Sequence, residues 1–381
     1  MAVATPKTNG RPTSSATADS AAPQASEVPG IPPVPFDHEE LAVRRGERSG
    51  LYTIVAIHST ALGPALGGVR LWAYPATIDA ARDALRLAMG MTYKAAAARL
   101  DLGGGKGVIC CPPGEKLGGE LRRAALLDFG DLVETLGGRY ITAEDVGISP
   151  DDLCVIRERT EHVTGLPSER GGSGDPSPFT AMGVEAAMRA CCGERFGTPD
   201  LSGRTVAVVG MGHVGSRLAR RLADAGAKLF VSDIVDERRA LADELGATWV
   251  EPDEAMLTEC DVLAPCALGG AIDAANVDAL RCRVVCGSAN NQLADESLAG
   301  RLAEREVLYA PDFIANAGGL IHVYMEIKGY SEEHATELAL GIEETLGHVL
   351  ATASDRGITP LDAARELARE RLGAAVAPAA M

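Results

Sequence analysis

Long apolar runs are absent from this sequence, and its basic residues do not cluster. No apolar stretch approaches the roughly 18 to 20 residues that a helix needs to cross a bilayer. Lysine and arginine number 36 against 53 acidic residues, which gives a net charge of −17. Because this charge repels polyphosphate and anionic headgroups, we expect neither a nucleic acid nor a membrane surface as a partner.

Cysteine pairs with the C-x-x-C spacing are also absent, although the chain has nine cysteines. The count is odd and no C-x-x-C spacing occurs, so the pattern fits neither a disulfide framework nor a zinc site. Most of the cysteines stand in apolar stretches, which is typical of small core residues. We therefore expect no bound metal and a reducing, cytoplasmic location.

With 381 residues, of which 46% are hydrophobic, the chain is long enough for about two domains with their own cores. Residues 1–36 are rich in Pro, Ser, Thr and Ala and lack the apolar core of a signal peptide, which predicts a disordered tail. We then expect a substrate-binding domain at 37–175 and a dinucleotide-binding domain at 176–330. C-terminal helices at 331–373 would pack back on these domains, and 374–381 would form a second tail.

Hydrophobic periodicity indicates an α/β protein. Residues 51–58, LYTIVAIH, predict a strand, and the alanine-rich segment from Ala76 has a helical period. From Thr205 the pattern becomes strand, glycine turn, helix and strand, with further buried strands beyond. This alternation predicts a Rossmann domain with a parallel, doubly wound sheet, separated by a cleft from an N-terminal α/β domain. The loop 166–178 between them suits a hinge, and Thr180 is expected to cap the next helix.

A G-x-G-x-x-G motif directly follows the predicted strand TVAVVG and opens a helix. Its glycines allow a tight turn and the close approach of a pyrophosphate to the helix N-terminus. Asp233 ends the next strand, where a carboxylate binds ribose hydroxyls and repels a 2′-phosphate, so NAD is favoured. Arg238 and Arg239 leave NADP as the alternative. The predicted cofactor-binding residues of this region are Gly210, Met211, Gly212, His213, Val214, Gly215 and Asp233.

The stretch LDLGGGKGVICC, residues 100–111, places a lysine among glycines. A P-loop is excluded because Leu100 stands at its first glycine position and Gly107 at the position of its magnesium-binding hydroxyl. Glycine allows close approach to a ligand, so we predict a buried glycine turn that holds Lys106. An ordinary turn with a solvated lysine is the simpler alternative.

Charged residues accompany glycines or polar residues in several stretches of the first domain. These stretches are GPALGGVR at 63–70, MTYK at 91–94, LGGGKG at 102–107 and TAEDVG at 142–147. Together they offer Lys94, Lys106 and Asp145. An α-amino acid requires a cation for its carboxylate, a base, and an acid that exchanges the amine proton. Beside a dinucleotide-binding domain, this set predicts an amino acid dehydrogenase.

In these motifs the chain resembles the glutamate, leucine, valine and phenylalanine dehydrogenase family, and most of all its leucine and valine members. The similarity extends from about residue 50 to 372, through STALGPALGG, GMTYK, GGGK, RYITAEDVG, APCALG, SANNQL and YAPDF-ANAGG. It implies reversible oxidative deamination of an L-amino acid to a 2-oxo acid and ammonia, with reduction of NAD. We also expect a homo-oligomer.

The resemblance further implies roles for individual residues. Lys106 would be the catalytic base, and Asp145 would carry a proton to and from the amino group. Burial and the nearby charge of Lys94 would lower the pKa of Lys106, as a base requires. The other implied contacts are Lys94 and Asn290 with the substrate carboxylate, the open backbone of Gly67 and Gly68 with the substrate, and Thr180 with the nicotinamide carboxamide.

Three positions are expected to shape the pocket for the substrate side chain: Leu66, Ala143 and Leu320. Relatives that act on glutamate carry a lysine at the position of Leu66, so glutamate is excluded here. Phenylalanine-preferring relatives often carry glycine at the position of Ala143, so the larger residue favours valine, isoleucine and leucine. An aromatic substrate and a non-catalytic NAD-binding protein are the alternatives. Gly107 departs from the family pattern, because relatives commonly carry Thr, Ala or Ser there.

Overall fold

The computed structural model describes residues 37–112, 117–329 and 331–376. The predicted tail at 1–36 lies outside this range, as do residues 377–381 of the second tail. The last described residues, 374–376, belong to the final helix.

The first sheet is mixed and has five strands within the described residues, in the order β1-β2-β4-β3-β5. Strands β3, β4 and β5 run parallel, whereas β1 and β2 are antiparallel to their neighbours. The strands are β1 Glu40–Arg45, β2 Tyr52–Ser59, β3 Ala65–Ala73, β4 Gly103–Cys111 and β5 Tyr140–Glu144. The helices of this part are α1 Thr77–Ala97, α2 Gly119–Glu134 and α3 Pro150–Arg157.

Helix α1 lies close to one face of the first sheet because its contact surface is made of alanine. Ala80, Ala84 and Ala88 recur every four residues and are fully buried, packed with Ile54 and Val108 of the sheet. Small side chains shorten the distance between the helix and the sheet. Charged residues on α1 can therefore reach side chains that stand on this face.

The second sheet is parallel throughout, in the order β11-β10-β9-β6-β7-β8. Strand β6 lies between β7 and β9, where the direction of winding reverses and where such folds bind dinucleotides. Its strands are β6 Thr205–Val209, β7 Lys228–Ser232, β8 Thr248–Trp249, β9 Cys260–Pro265, β10 Cys282–Val285 and β11 Leu308–Tyr309. The predicted two-domain α/β fold with a Rossmann domain is confirmed.

Further helices cover the second sheet and return to the first part of the chain. Helix α12 contacts α1, and Arg371 donates from its guanidinium to the Ala96 carbonyl at 3.1 Å and to the Asp101 carboxylate at 3.0 Å. The remaining helices are α4 Ser177–Phe196, α5 His213–Asp224, α6 Arg239–Glu244, α7 Leu298–Glu304, α8 Asp312–Ala315, α9 Gly318–Lys328, α10 Glu332–Leu340, α11 Ile342–Arg356 and α12 Pro360–Val376.

All nine cysteines are free thiols. In the described part of the chain, no helix is long and apolar enough to cross a membrane. The same residues contain no group of three or more His, Cys, Asp or Glu side chains that could hold a metal ion.

Candidate active site

Lys106 stands in the middle of strand β4, opposite Ala56 of β2. Its side chain is only 6% exposed. The prediction of a glycine turn around this lysine is wrong, because Gly103 to Gly107 are part of an extended strand.

The glycines of β4 are required by close packing. A Cβ at Gly103 would lie 1.9 Å from the Ser59 carbonyl oxygen, and one at Gly104 would lie 2.0 Å from the Thr92 backbone nitrogen. Both contacts are with backbone, which cannot move aside as a flexible side chain can. The glycines therefore bring strand β2 and helix α1 close to the strand that carries Lys106.

The unusual Gly107 has a similar explanation. A Cβ at Gly107 would lie 2.5 Å from the ring of Phe129 and 2.9 Å from the hydroxyl of Tyr140. The Tyr140 hydroxyl donates to the Gly67 carbonyl oxygen at 2.5 Å. In this chain an aromatic ring thus fills the space beside Gly107.

Asp145 directly follows strand β5 and forms an ion pair with Lys106. The Lys106 ammonium lies 2.8 Å from Oδ2 of Asp145, and the Nε of Arg70 donates to the same oxygen at 2.8 Å. Arg70 was not singled out from the sequence, although it ends the quoted stretch GPALGGVR. Its position on β3, paired with Val108 of β4, brings it to the sheet face that carries Lys106.

Lys94 is half-buried near the C-terminal end of α1, and it reaches the second part of the chain. Its ammonium donates to Oδ1 of Asn290 at 3.3 Å. The side-chain amide of Asn316 donates to the same oxygen at 2.8 Å. Asn316 was also missed in the sequence, although it belongs to the quoted stretch ANAGG. The structure therefore brings Lys94 and Asn290 together, with Asn316 orienting the amide.

Burial and neighbouring charges change the pKa of all three candidate residues. Burial lowers the pKa of Lys106, against the opposing charge of Asp145, and the positive charge of Arg70 lowers it further. Burial lowers the pKa of Lys94 to about 8, while the charge of Asp312 opposes this change. Burial acts to raise the pKa of Asp145, but Lys106 and Arg70 outweigh it and the pKa falls below its ordinary value. Arg70 is thus a cation that sequence analysis did not include beside Lys106.

The residues expected around the substrate side chain occupy two kinds of surroundings. Leu66 and Leu320 are buried in the same apolar cluster, 1% and 8% exposed, together with Phe179. Ala143 is half-buried on β5. The two leucines belong to the protein core and Ala143 is partly accessible, so their contact with a substrate side chain stays a prediction.

Gly67 and Gly68 are buried within strand β3, in contrast to the open backbone expected for them. A Cβ at Gly67 would lie 1.7 Å from the Gly105 carbonyl oxygen, and one at Gly68 would lie 2.3 Å from the Glu144 carbonyl oxygen. Neighbouring strands approach them so closely that no side chain fits. Their glycine identity is explained by this strand packing.

The G-x-G-x-x-G motif forms the turn between β6 and α5. Gly210 has a φ of +103°, and a Cβ at Gly215 would lie 1.9 Å from the Gly210 carbonyl oxygen. Gly212 has open space where its Cβ would be, as the approach of a pyrophosphate requires. Met211 is buried, whereas His213 and Val214 begin helix α5.

Asp233 lies just after β7, at the edge of the same turn. Its carboxylate accepts from the backbone N–H of Met211 at 2.6 Å and of Val235 at 2.9 Å. Arg239 pairs with Glu251 at 2.8 Å, and its guanidinium lies 4.5 Å from the centre of the Trp249 ring. The carboxylate is therefore held beside the glycine turn, while Arg239 is engaged elsewhere.

Thr180 is not the cap of helix α4, as the sequence suggested. The helix begins at Ser177, whose backbone N–H donates to Asp175 at 2.9 Å. Thr180 lies inside the first turn and donates to the Pro176 carbonyl oxygen at 3.1 Å. Pro178 fits this earlier start, because proline is favoured at the first positions of a helix.

Two family models together match most of the chain. Residues 38–162 match the family described as "Glu/Leu/Phe/Val dehydrogenase, dimerisation domain". Residues 230–378 match "Glutamate/Leucine/Phenylalanine/Valine dehydrogenase". Residues 184–268, which overlap the start of the second match, match "D-isomer specific 2-hydroxyacid dehydrogenase, NAD binding domain".

Several characterised proteins are similar to nearly the whole chain. Leucine dehydrogenase from Thermoactinomyces intermedius is 46% identical, over 88% of this chain and 91% of that protein. Valine dehydrogenase from Streptomyces virginiae is 43% identical, over 88% of this chain and 94% of that protein. L-tryptophan dehydrogenase from Nostoc punctiforme is 42% identical, over 88% of this chain and 93% of that protein.

Solved structures agree with this relationship. A crystal structure of L-tryptophan dehydrogenase from Nostoc punctiforme superimposes with a TM-score of 0.78 and 38% identity, over 89% of this chain and 97% of that one. A hetero-hexameric glutamate dehydrogenase from Thermus thermophilus has the same fold, with a TM-score of 0.72 at 24% identity, over 89% of each chain.

Proposed function

The chain belongs to the Glu/Leu/Phe/Val dehydrogenase family and is an amino acid dehydrogenase; from this premise we propose that it deaminates L-valine, L-leucine and L-isoleucine oxidatively and reversibly, with NAD. The products are the 2-oxo acid and ammonia. The observation that supports this reaction is the buried contact of Lys106 with Asp145, 2.8 Å long. A base and a proton carrier in direct contact are what amine release requires.

Lys106 acts as the base in this proposal. When bound at the Gly210–Gly215 turn, NAD would supply the hydride acceptor for the α-carbon of the amino acid, and the substrate would become an iminium ion. Neutral Lys106 then takes a proton from a water molecule as the water attacks this carbon. Burial and the charge of Arg70 favour the neutral lysine, because both oppose its protonation.

Asp145 carries the second proton. The amino group of the tetrahedral intermediate must gain a proton before it leaves as ammonia. Asp145 passes a proton from Lys106 to this nitrogen, which the 2.8 Å contact of the two side chains permits. The carbon–nitrogen bond then breaks as the hydroxyl group gives its proton to Lys106 and becomes the carbonyl group. In the reverse direction, the same groups accept ammonia and release water.

Lys94 and Asn290 bind the substrate carboxylate in this proposal. A half-buried ammonium beside a side-chain amide offers two donors to one carboxylate. Asn290 is held by Asn316, so its amide orientation is fixed before the substrate binds. Loss of Lys94 would therefore weaken amino acid binding more directly than it would slow chemistry.

Leu66, Leu320 and Ala143 give the pocket its preference for aliphatic side chains. A glutamate side chain would place a carboxylate against apolar Leu66, with an unpaired buried charge that costs several kcal/mol. The branched aliphatic side chains differ by about one methylene, which discriminates by about 1 to 3 kcal/mol.

An aromatic amino acid is the second candidate substrate. L-tryptophan dehydrogenase from Nostoc punctiforme is 42% identical to this chain, which is close to the value for valine dehydrogenase. The retained Ala143 favours the aliphatic substrates. The catalytic roles proposed for Lys106, Lys94 and Asp145 are the same for both classes.

The dinucleotide site fits NAD. Open space at Gly212 suits the pyrophosphate, and the held carboxylate of Asp233 suits the ribose hydroxyls. A 2′-phosphate would meet this carboxylate, and Arg239 is already paired with Glu251. We also propose that Thr180 contacts the nicotinamide carboxamide. Thr180 lies in the first turn of α4 and faces Gly319, where a Cβ atom would come within 2.8 Å of the Thr180 hydroxyl.

We also propose a homo-oligomer assembled through the first domain. The model that matches residues 38–162 is described as a dimerisation domain. Large apolar side chains are exposed on this part of the chain, including Trp72 at 53% and Val146 at 49%.

We propose the cytoplasm as the location of the protein. Its nine free thiols agree with a reducing compartment.

A substrate panel tests the proposal. Reduction of NAD is followed by absorbance with L-valine, L-isoleucine, L-leucine, L-phenylalanine, L-tryptophan and L-glutamate at one alkaline pH. We expect the highest kcat/KM among the three branched aliphatic substrates and no turnover of glutamate. An aromatic substrate in first place would refute the pocket interpretation, and no turnover with any of them would favour a non-catalytic NAD-binding protein.

A further inference from the structure

Arg70 connects the proposed proton carrier to helix α1. Its Nε donates to Oδ2 of Asp145 at 2.8 Å, and its Nη1 donates to Oδ2 of Asp83 at 2.9 Å. The side chain is only 21% exposed. A planar guanidinium that bonds two carboxylates at fixed angles restrains both of them.

Asp83 is itself held firmly on α1. The Tyr74 hydroxyl donates to its Oδ2 at 2.6 Å, and Arg86 donates to its Oδ1 at 2.7 Å. With Arg70, the carboxylate thus has three donors, and it is 18% exposed. Asp83 is therefore a fixed anchor for the guanidinium.

Asp145 needs such support because it lies beyond the hydrogen-bonded pairs of the sheet. Strand β5 ends at Glu144. The loop backbone is tied to β3, where the Leu71 N–H donates to the Val146 carbonyl oxygen at 3.0 Å, but this bond does not fix the Asp145 side chain. Among the described residues, the hydrogen bonds to the carboxylate come from Lys106 and Arg70, both to Oδ2.

We propose that Arg70 is a positioning residue that holds the Asp145 carboxylate against Lys106, and that Asp83 holds Arg70 in turn. This inference rests on the proposed function of Lys106 and Asp145. With Oδ2 held by two donors, Oδ1 carries no hydrogen bond within the described residues. That oxygen remains available to the amino group of the substrate.

The positive charge of Arg70 has a second effect. It disfavours the protonated form of Lys106 and favours the ionised form of Asp145, so it lowers the pKa of both. Removal of this charge raises the pKa of Lys106. Other titratable side chains near this site include His58, Tyr74, Asp83, Lys94, Tyr140, Asp145 and Asp312. All of them remain when Arg70 alone is changed.

The test compares Arg70→Met with Arg70→Lys. For Arg70→Met we expect kcat for deamination to fall by about 10- to 100-fold, as for a misplaced catalytic group. The pH at which kcat reaches half of its maximum should also increase by about one unit, because the loss of the nearby cation raises the pKa of Lys106. Arg70→Lys keeps the charge, so its pH profile should stay near that of the wild type while kcat recovers only in part.

A purely structural role predicts a different result. Both variants would then lose activity without any displacement of the pH profile, and this outcome would overturn the proposal. Arg123→Met is the matched control, since it removes one positive charge from a side chain that is 51% exposed and pairs with Glu158. It should leave both kcat and the pH profile unchanged. If Arg70→Met does not fold, Arg70→Gln serves the same test.

A crystal structure of the Arg70→Met variant tests the inference without turnover. We expect the distance from Asp145 Oδ2 to Lys106 Nζ to exceed the 2.8 Å of the wild type. An unchanged distance would refute the positioning role. A wild-type protein without activity on any amino acid would instead refute the proposed function, so the two failures are distinguishable.

Discussion

Two segments of this protein are rich in glycine, but the absence of side chains serves a different purpose in each. In Gly103 to Gly107 of strand β4, the missing side chains make room for neighbouring parts of the protein. In the turn of Gly210 to Gly215, the middle glycine has open space beside it. The first segment is closed by its own fold, whereas the second remains accessible to a ligand.

In the proposed function, this difference separates the chemical step, which belongs to the first segment, from cofactor binding, which belongs to the second. Strand β4 places Lys106 rigidly in a buried position, and close packing by glycine lets α1 bring Lys94 and Asp83 to the same region. The turn after β6 instead offers backbone N–H groups at a helix N-terminus, which suits a pyrophosphate. We therefore expect substitutions in the two segments to affect different steps.

The largest expected effect is that of Lys106→Ala on the chemical step. Loss of a general base lowers kcat by about 10² to 10⁴-fold. The affinity for NAD should stay near that of the wild type, because the dinucleotide turn is in the other domain. Steady-state kinetics and NAD titration by fluorescence measure the two quantities.

The exposed Lys228 provides a matched control for this substitution. Lys228→Ala removes the same side chain from the start of β7 and should leave kcat unchanged. If Lys106→Ala keeps more than a few per cent of the wild-type kcat, Lys106 is not the base. If its affinity for NAD also falls strongly, the separation of chemistry from binding does not hold.

The next effect contrasts one glycine from each segment. A Cβ at Gly104 would meet the Thr92 backbone nitrogen at 2.0 Å, so Gly104→Ala should lower the free energy of unfolding by at least about 1 to 3 kcal/mol. Gly212→Ala meets no atom within 4 Å and has a φ of −71°, which alanine adopts without strain. Gly212→Ala should therefore leave the free energy of unfolding within about 0.5 kcal/mol of the wild-type value. It should nevertheless weaken NAD binding.

Denaturant unfolding and NAD titration of both variants decide this contrast. Equal destabilisation by the two substitutions would mean that the segments do not differ in packing. Unimpaired NAD binding by Gly212→Ala would mean that the open space beside Gly212 does not receive the cofactor.

The same contrast explains which features the sequence revealed. The strand before Gly210 and the helix after it have clear periodicities, so the turn between them was recognisable. Around Lys106 the sequence suggested a turn, because glycine usually marks turns. The glycines are in fact required by contacts with Ser59 and Thr92, which belong to other segments of the chain and are not visible in the local pattern. The role of Arg70 likewise depends on strand pairing and on Asp83, which no local pattern reports.

Helix α4 shows a second limit of local patterns. Thr180 had a suitable residue type for a cap, but Asp175 and Pro178 start the helix earlier. Several residues in this region can begin a helix, and the loop before it determines which one does. The predicted helix was real, and only its first residue differed.

A smaller effect is expected at the edge of the dinucleotide turn. Asp233→Ala removes the carboxylate proposed to bind the ribose hydroxyls, so KM for NAD should rise by about tenfold. The ratio of kcat/KM for NADP to that for NAD should increase, because a repulsive charge is lost. Wild-type protein that uses NADP as well as NAD would show that Asp233 does not set the preference. Asp243→Ala is a control, since Asp243 is exposed and lies ten residues further along, on α6.

The smallest effect concerns the pH dependence of substrate binding by Lys94. Burial lowers the pKa of Lys94 to about 8, with the charge of Asp312 opposing. In the proposed function a substrate carboxylate binds the protonated lysine, so we expect binding to be strongest below this pKa and to weaken as the pH rises through it. Lys106 would have the opposite requirement, because the proposed base can accept a proton only when it is neutral. Between about pH 7 and 9, we therefore expect KM for the amino acid to rise several-fold while kcat increases.

Lys94→Arg distinguishes this titration from that of other groups. Arginine stays charged throughout the range, so KM for the amino acid should become nearly independent of pH. Its guanidinium differs in shape from an ammonium, and kcat should fall because the substrate is displaced relative to Lys106. Lys228→Arg, the same change at an exposed site, should behave like the wild type. A KM that rises equally in wild type and Lys94→Arg would assign the titration to another group, and Lys94 would then not be the residue that controls substrate binding.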